Sequence, residues 1–233
     1  MGPRNLAVLV TLLLCVTAVV AASPVDARAP PTPVCGVCEL DRTTADGASV
    51  VAGESSLTVT LHGNGSTTWN ARVDIAAGGD ALAANESLRH DVVSDAVRDG
   101  IAEPRDVDAR IDGNVLLVEY RDPNATERHL GAVTFTPLTP ASPRNPIVIG
   151  GEGSRYLGAD RLTVAAESGW AVRGDAPAGG SDGSLVWARE DGERGGTDRV
   201  RLDIDRDPVA VEEDAVLPGV RAWIARLLTG NVL

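Results

Sequence analysis

The sequence predicts an α+β protein, built mainly from antiparallel β-hairpins that form a sheet or sandwich. One long amphipathic helix packs on the hairpins, and a second helix ends the chain. Three observations lead there. Short runs in which apolar and polar residues alternate lie on either side of Gly-containing turns, as half-buried hairpin strands do. Between the first two hairpins, Leu82, Leu88, Val92, Val93, Ala96 and Val97 recur at three- and four-residue spacing. Near the end, Val220, Trp223, Ile224, Leu227 and Leu228 form a second such stripe.

The first hairpin carries the strongest local signal. Leu57, Val59 and Leu61 alternate up to Gly63-Asn64-Gly65, and Trp69, Ala71 and Val73 alternate beyond it. A two-residue Asn64-Gly65 loop would set Leu61 against Thr68 and Leu57 against Arg72, apolar against polar. A three-residue loop instead sets Val59 against Trp69 and Leu57 against Ala71, and puts Gly65 at the left-handed position such loops require. The three-residue register is therefore expected. Upstream, Thr43 to Gly53 is small and polar and suits a loop or short helix. Downstream, Gly78-Gly79 ends the strand, Asp80 can cap a helix, and the stripe predicts one from Ala81 to Asp99, stopped by Gly100.

In the second hairpin, Val107, Ala109 and Ile111 alternate up to Asp112-Gly113, a favoured two-residue turn. That loop sets Ala109 opposite Leu116, Val107 opposite Val118 and Arg105 opposite Tyr120. Ala132 to Thr136 reads as a further strand. Pro137 to Pro146 holds four prolines and marks a possible internal break. A third hairpin is expected to turn at Glu167-Ser168-Gly169, pairing Ala166 with Trp170 and Val164 with Val172. A fourth would join Leu185-Val186-Trp187 to Val200, Leu202 and Ile204.

At the end, Glu212, Glu213 and Asp214 suit a helix N-terminus, and Pro218 sits near its start. The stripe of this helix is expected to pack on the domain. Its polar face offers only Arg221 and Arg226, which weakens a membrane-surface role. The resulting organisation is a signal peptide (1–22), a Pro/Ala-rich spacer with a CxxC (23–44), a β-rich domain (45–210, with the possible break at 137–146), and a C-terminal amphipathic helix (211–233).

Composition bears on address. Arg4 followed by the apolar run Leu6 to Ala22, with Ala at the last positions, predicts a secretory signal cleaved before Ser23. Without an Arg-Arg pair, general secretion is favoured over the twin-arginine route. A membrane tether by the uncleaved segment is the alternative, since the run approaches the ~18 residues that span a bilayer. The net charge is −12, and all 21 basic residues are Arg. Such a surface argues against nucleic-acid phosphate contacts and suits high salt, which screens its self-repulsion. Asn64, Asn85 and Asn124 each begin an N-x-S/T sequon and are glycosylation candidates in an exported chain.

Few residues suggest chemistry. Cys35 and Cys38 are the thiols left after export, and in an oxidising exterior they are expected to close a small disulfide. Redox use would need a following helix N-terminus to lower a thiol pKa, and the sequence offers no convincing one. Zinc would need two further ligands from His62, His90 or His129, which have no partner spacing. Gly179 to Gly183 matches a nucleophile-elbow string, with Ser181 as nucleophile, but lies in a flexible loop before a strand. Asp203, Asp205 and Asp207 have calcium-loop spacing, with Pro208 where Gly belongs and no helix before them. Ile147 to Gly153 resembles a strand entering a phosphate loop but lacks the third glycine.

Together, CGVC at Cys35 to Cys38, NGSTTWNARV at Asn64 to Val73, GNVLLVEYRDP at Gly113 to Pro123 and GADRLTV at Gly158 to Val164 resemble exported proteins of extremely halophilic archaea. Such proteins are often anchored by a C-terminal membrane helix, which these residues do not supply. The resemblance implies export and brings no activity with it. The expectation is a non-catalytic cell-surface or extracellular domain without catalytic residues, cofactors or metal. A cell-envelope or membrane-protein partner would meet it through the C-terminal helix. The alternative is a thiol-redox or metal-binding protein using Cys35 and Cys38.

Overall fold

The computed structural model describes residues 31–44, 47–139, 155–176, 183–189, 202, 204 and 206–229. The signal segment, most of the spacer and residues 140–146 of the proline-rich break lie outside them. In chain order the elements are β1 (Thr32–Pro33), a 3-10 turn (Val37–Glu39), β2 (Asp41–Thr43), β3 (Ser49–Leu61), β4 (Thr67–Ala77), α1 (Gly79–Ala84) and α2 (Glu86–Arg98). There follow β5 (Arg105–Asp112), β6 (Val115–Asp122), β7 (Thr126–His129), β8 (Ala132–Phe135), β9 (Arg155–Tyr156) and β10 (Arg161–Ala166). The chain ends with β11 (Trp170–Arg173), β12 (Leu185–Ala188), β13 (Val209–Glu212) and α3 (Pro218–Thr229).

The alternating runs form a seven-stranded sheet in the order β12-β10-β3-β4-β6-β5, with β2 also paired to β3. Every pair in it is antiparallel except β3 with β10. Register aligns the apolar side chains in rows. One row crosses six strands as Trp187, Leu162, Leu57, Ala71, Val118 and Ala109. The next row places Leu185, Val164, Val59, Trp69 and Tyr120 side by side. It stops at β5, where the pairing is irregular between Arg105 and Asp108 and Asp106 has φ 52°. The opposite face carries Thr58, Asn70, Arg72 and Glu119, so one face is buried and one solvated, as antiparallel sheets permit.

A smaller antiparallel sheet, β11-β13-β8-β7, covers part of the apolar face, and the α1–α2 pair covers another part. The two sheets meet through aromatics. Trp69 stacks on Tyr120 at 5.6 Å between ring centroids and meets Phe135 of β8 at 5.6 Å, tilted. The Trp69 indole N–H donates to Thr67 Oγ1 at 2.9 Å, and the Thr67 hydroxyl donates to the Asp122 carbonyl at 2.7 Å. The polar atoms of Trp69 and Thr67 brought into this core are thus satisfied. On the far side of the smaller sheet, α3 seals a second cluster of Ala132, Val209, Val211, Ala222 and Ala225.

The first hairpin has the expected register, with Leu57 opposite Ala71 and Val59 opposite Trp69. His62 N–H donates to the Ser66 carbonyl across Gly63-Asn64-Gly65, and Gly65 has φ 87°. β8 also falls where expected.

Other expectations are corrected. The second hairpin turns at Gly113-Asn114, with Gly113 at φ 58°, so Ala109 faces Val118 and Ile111 faces Leu116. This slip of two residues keeps the same face inward. The segment expected as a loop or helix before β3 is instead largely strand, and β2 folds back on it. The long helix is two helices, broken at Asn85, whose extended backbone (φ −130°) and side chain cap α2 by accepting the Leu88 N–H at 3.0 Å. The third hairpin does not pair: Gly169 turns the chain at φ 83°, but β10 joins β3 in the large sheet while β11 joins β13 in the smaller one. β12 pairs with β10, placing Trp187 opposite Leu162, while Val200, Arg201 and Asp203 of the expected fourth pairing lie outside the described residues. The C-terminal stretch begins as strand β13, and α3 packs with its alanines inward while Val220, Trp223, Leu227 and Leu228 of the predicted stripe face outward and Ile224 is half-buried.

Candidate functional site

The Cys35–Cys38 segment is tied into the fold from three sides. β1 runs parallel to β9, aligning Thr32 with Arg155 and Pro33 with Tyr156, and Val34 N–H continues the pairing to the Tyr156 carbonyl at 2.8 Å. The chain then enters the 3-10 turn, and Cys35 and Cys38 join in a disulfide with 5.3 Å between their Cα atoms. Both are buried, at 0% and 4% exposure. The end of the spacer is thus core, with Val34 at 0%.

Two glycines permit this seating. A Cβ on Gly36 would fall 2.1 Å from the Ala96 carbonyl oxygen and 2.7 Å from the Gly100 nitrogen. Gly158, at φ 67°, lies so close to the turn that a Cβ there would fall 2.7 Å from the Cys35 carbonyl oxygen. The turn therefore abuts the C-terminal end of α2. That end carries the negative pole of the helix dipole, which disfavours a thiolate, whereas redox-active pairs sit at a positive N-terminus.

One side of the pair opens on a cleft of about 460 Å³, lined by Cys38, Glu39, Glu54, Ser55, Asp160 and Arg189 among others. Asp160 braces it: its carboxylate accepts the Ser55 N–H at 2.8 Å and faces an Arg189 nitrogen at 3.6 Å. The Tyr156 hydroxyl donates to Glu39. Among the described residues, no group of three or more His, Cys, Asp or Glu side chains is placed to hold a metal ion. Gly158, Asp160 and Arg189 are more than a hundred residues from the CxxC, and no sequence spacing announces them.

A second arrangement was missed because Glu167 stands 105 residues from His62. His62, which has no partner spacing in the sequence, has its Nδ1 3.1 Å from Glu167 Oε2 and its Nε2 2.9 Å from Thr68 Oγ1. Glu167 also accepts the Gly63 N–H at 2.7 Å. That backbone bond, together with His62, holds the Glu167 carboxyl below its ordinary value. Hydroxyl, imidazole and carboxylate stand in the order of a catalytic triad. Yet Thr68 is the second residue of β4, flanked by Thr60 of β3 and Arg121 of β6, and ladder bonds to those strands occupy the backbone N–H groups that an oxyanion hole needs. The arrangement clamps the hairpin tip to the turn after β10.

The sequons differ in setting. Asn64 is exposed at the hairpin tip, and its Oδ1 accepts the Ser66 N–H at 2.8 Å and the Ser66 hydroxyl at 2.7 Å. Asn85 is exposed but spends its side-chain oxygen capping α2. Asn124 is exposed after β6 and donates its amide to Glu103 Oε2 at 2.7 Å. Beside it, Asp122 accepts N–H groups of Glu103 and Asn124, each at 2.8 Å. Burial nonetheless pushes its carboxyl above the ordinary value.

The elbow string's Ser181, residues 147–153, and Asp203 and Asp205 lie outside the described residues. Asp207 is buried and accepts the Thr139 hydroxyl, which makes it a core acceptor. Comparison with family models, curated proteins and solved structures finds no match to this chain.

Proposed function

We propose that the chain is an exported, non-catalytic cell-surface or extracellular domain adapted to high salt. The observation that carries the reading is the closed Cys35–Cys38 disulfide, buried against the negative end of α2, where thiolate chemistry is disfavoured. The leader-like residues 1–22, the lysine-free acidic composition and the resemblance to halophilic exported proteins support it further. Three exposed sequon asparagines make Asn64, Asn85 and Asn124 candidate glycan sites. The outward face of α3 supplies a contact surface for a partner at the cell envelope.

Fractionating a producing culture into medium and membrane, then taking intact masses with and without reductant and chelator, tests this. Expected are a chain lacking residues 1–22, a disulfide that opens only after unfolding, and no chelatable metal. Thiols that cycle in the folded protein would overturn it. A chain found in the membrane with residues 1–22 retained would favour the tethered form instead.

A second reading, a thiol-redox or metal-binding protein, draws on the cleft that reaches Cys38. It requires a small thiol to exchange with the native disulfide, or zinc to bind after reduction. The same mass measurements separate the two.

A further inference from the structure

The apolar stripe of α3 turns its back on the protein. Ala222 and Ala225 rest on the smaller sheet at 2% and 0% exposure, whereas Val220, Trp223, Leu227 and Leu228 are 48, 56, 48 and 53% exposed. Val216 and Leu217 extend the stripe at 74 and 66%. At 100° per residue, Ala222 and Ala225 project opposite Val220 and Leu227, so the helix is laid with its small face down and its large face up. The six side chains leave roughly 600 Å² of apolar surface in water, at the upper end for the largest patch of an ordinary monomer.

We propose that this face is a homodimer interface, covered by the same face of a second copy of this chain about a two-fold axis. Area supports that occupant. Two such patches together cover about 1,200 Å², the lower bound of stable specific interfaces. The pattern supports it too, since Val220, Trp223 and Leu227 follow steps of three and four, the seam along which one helix meets another. So does charge. The stripe itself is uncharged, Arg221 and Arg226 flank it, and Arg226 is spent on the carbonyls of Asp207 and Arg173. A chain of net charge −12 with Glu212, Glu213 and Asp214 before the helix is repelled by anionic lipid, whereas pairing two uncharged stripes leaves those carboxylates at a solvated rim. Leu217 adds a further sign. It keeps an exposed apolar side chain at φ 54°, a backbone conformation where glycine would be unstrained. Trp223, central in the stripe, is the residue type that anchors interfaces.

The inference names the partner of the contact surface proposed above and does not depend on export, which the fractionation tests separately. Sedimentation equilibrium of the full purified chain, from 1 to 100 µM in low and in molar salt, reads it directly. Expected is a concentration-dependent dimer, tighter in high salt, where repulsion between two acidic chains is screened. Trp223→Glu and Leu227→Glu are each expected to raise the dimer dissociation constant about 100-fold or more. Both sites are exposed, so far-UV dichroism should stay unchanged in the variants, and their melting temperature should match that of the parent at concentrations where the parent is monomeric. A wild-type chain monomeric at 100 µM in both salts overturns the proposal, as does a dimer that survives both variants or an open series of larger oligomers. A monomer that instead co-sediments with anionic lipid vesicles also overturns it.

Discussion

Gly36 and Ala96 touch at a distance that no side chain tolerates: a Cβ on Gly36 would lie 2.1 Å from the Ala96 carbonyl oxygen. The obstacle is helical backbone, which cannot swing aside as a side chain would. Gly36→Ala is therefore expected to destabilise the fold by about 3 kcal/mol, at the upper end for overpacking. Urea unfolding of the variant against the parent, read by dichroism, measures this; a loss under 1 kcal/mol would contradict the packing described.

The disulfide closes a short loop, and its worth follows from that. With a sequence separation of three, chain entropy assigns it about 2 kcal/mol. Replacing both cysteines by alanine should lower stability by that amount without abolishing folding. Equilibrium unfolding checks the magnitude.

Phe135 meets Trp69 across the two sheets. Phe135→Ala removes the ring from a fully buried site and is expected to cost about 3–5 kcal/mol. Thermal unfolding provides the measurement, and an intact Tm would mean that the sheets are held elsewhere.

Asn85 can be tested as a cap separately from its role in a sequon. Asn85→Ala should cost about 1 kcal/mol, and Asn85→Asp should restore most of it, because either oxygen can accept the Leu88 N–H. Ser87→Ala destroys the sequon while leaving the cap. A glycan at Asn85, if attached, would disappear from the mass of Ser87→Ala while stability stays near that of the parent.

The Glu167 clamp predicts a pH dependence of definite sign. Its carboxyl is held below the ordinary 4.5, by the Gly63 N–H first and His62 next. A lowered folded value gives stability that is present above the unfolded value and lost as pH falls through the folded one. Solvent screening at this exposed site keeps the effect below about 1 kcal/mol. A carbon-detected NMR titration should place the Glu167 midpoint below 4.5. In Glu167→Gln, the corresponding part of the acid-induced stability loss should vanish.

These residues also show where sequence reading reaches its limit. Turn chemistry fixed the first hairpin, because Gly65 at a left-handed position and Val59 facing Trp69 both demand one loop length. In the second hairpin, a slip of two residues leaves Ala109 and Val118 facing inward either way, so alternation could not choose between Asp112-Gly113 and Gly113-Asn114. Alternation names a face and never a partner. That is why Ala166 and Trp170, four residues apart around a real turn, belong to different sheets. In α3 the periodicity gave the helix correctly, but the small residues Ala222 and Ala225 make the packed face and the large ones do not. Asn85 was visible as a sequon and overlooked as a cap. Of the candidate site, the cysteine pair was legible because its members are adjacent, while Asp160 and Arg189 arrive only through pairings across a hundred residues.

The parallel pairing of β3 with β10 has a consequence in time. Leu57 and Leu162 are neighbours in the finished sheet, yet the whole of β4 through β9 is threaded between them. β3, β4, β6 and β5 can assemble from contacts close in sequence, and their apolar rows then wait for an edge that is supplied late. β10 must close that long loop before β12 has anything to pair with, so loop closure sets the pace of completion. A chain delivered N-terminus first displays the open edge of β3 until residue 166 has emerged. Throughout that interval, it is the species most exposed to pairing with a neighbouring chain.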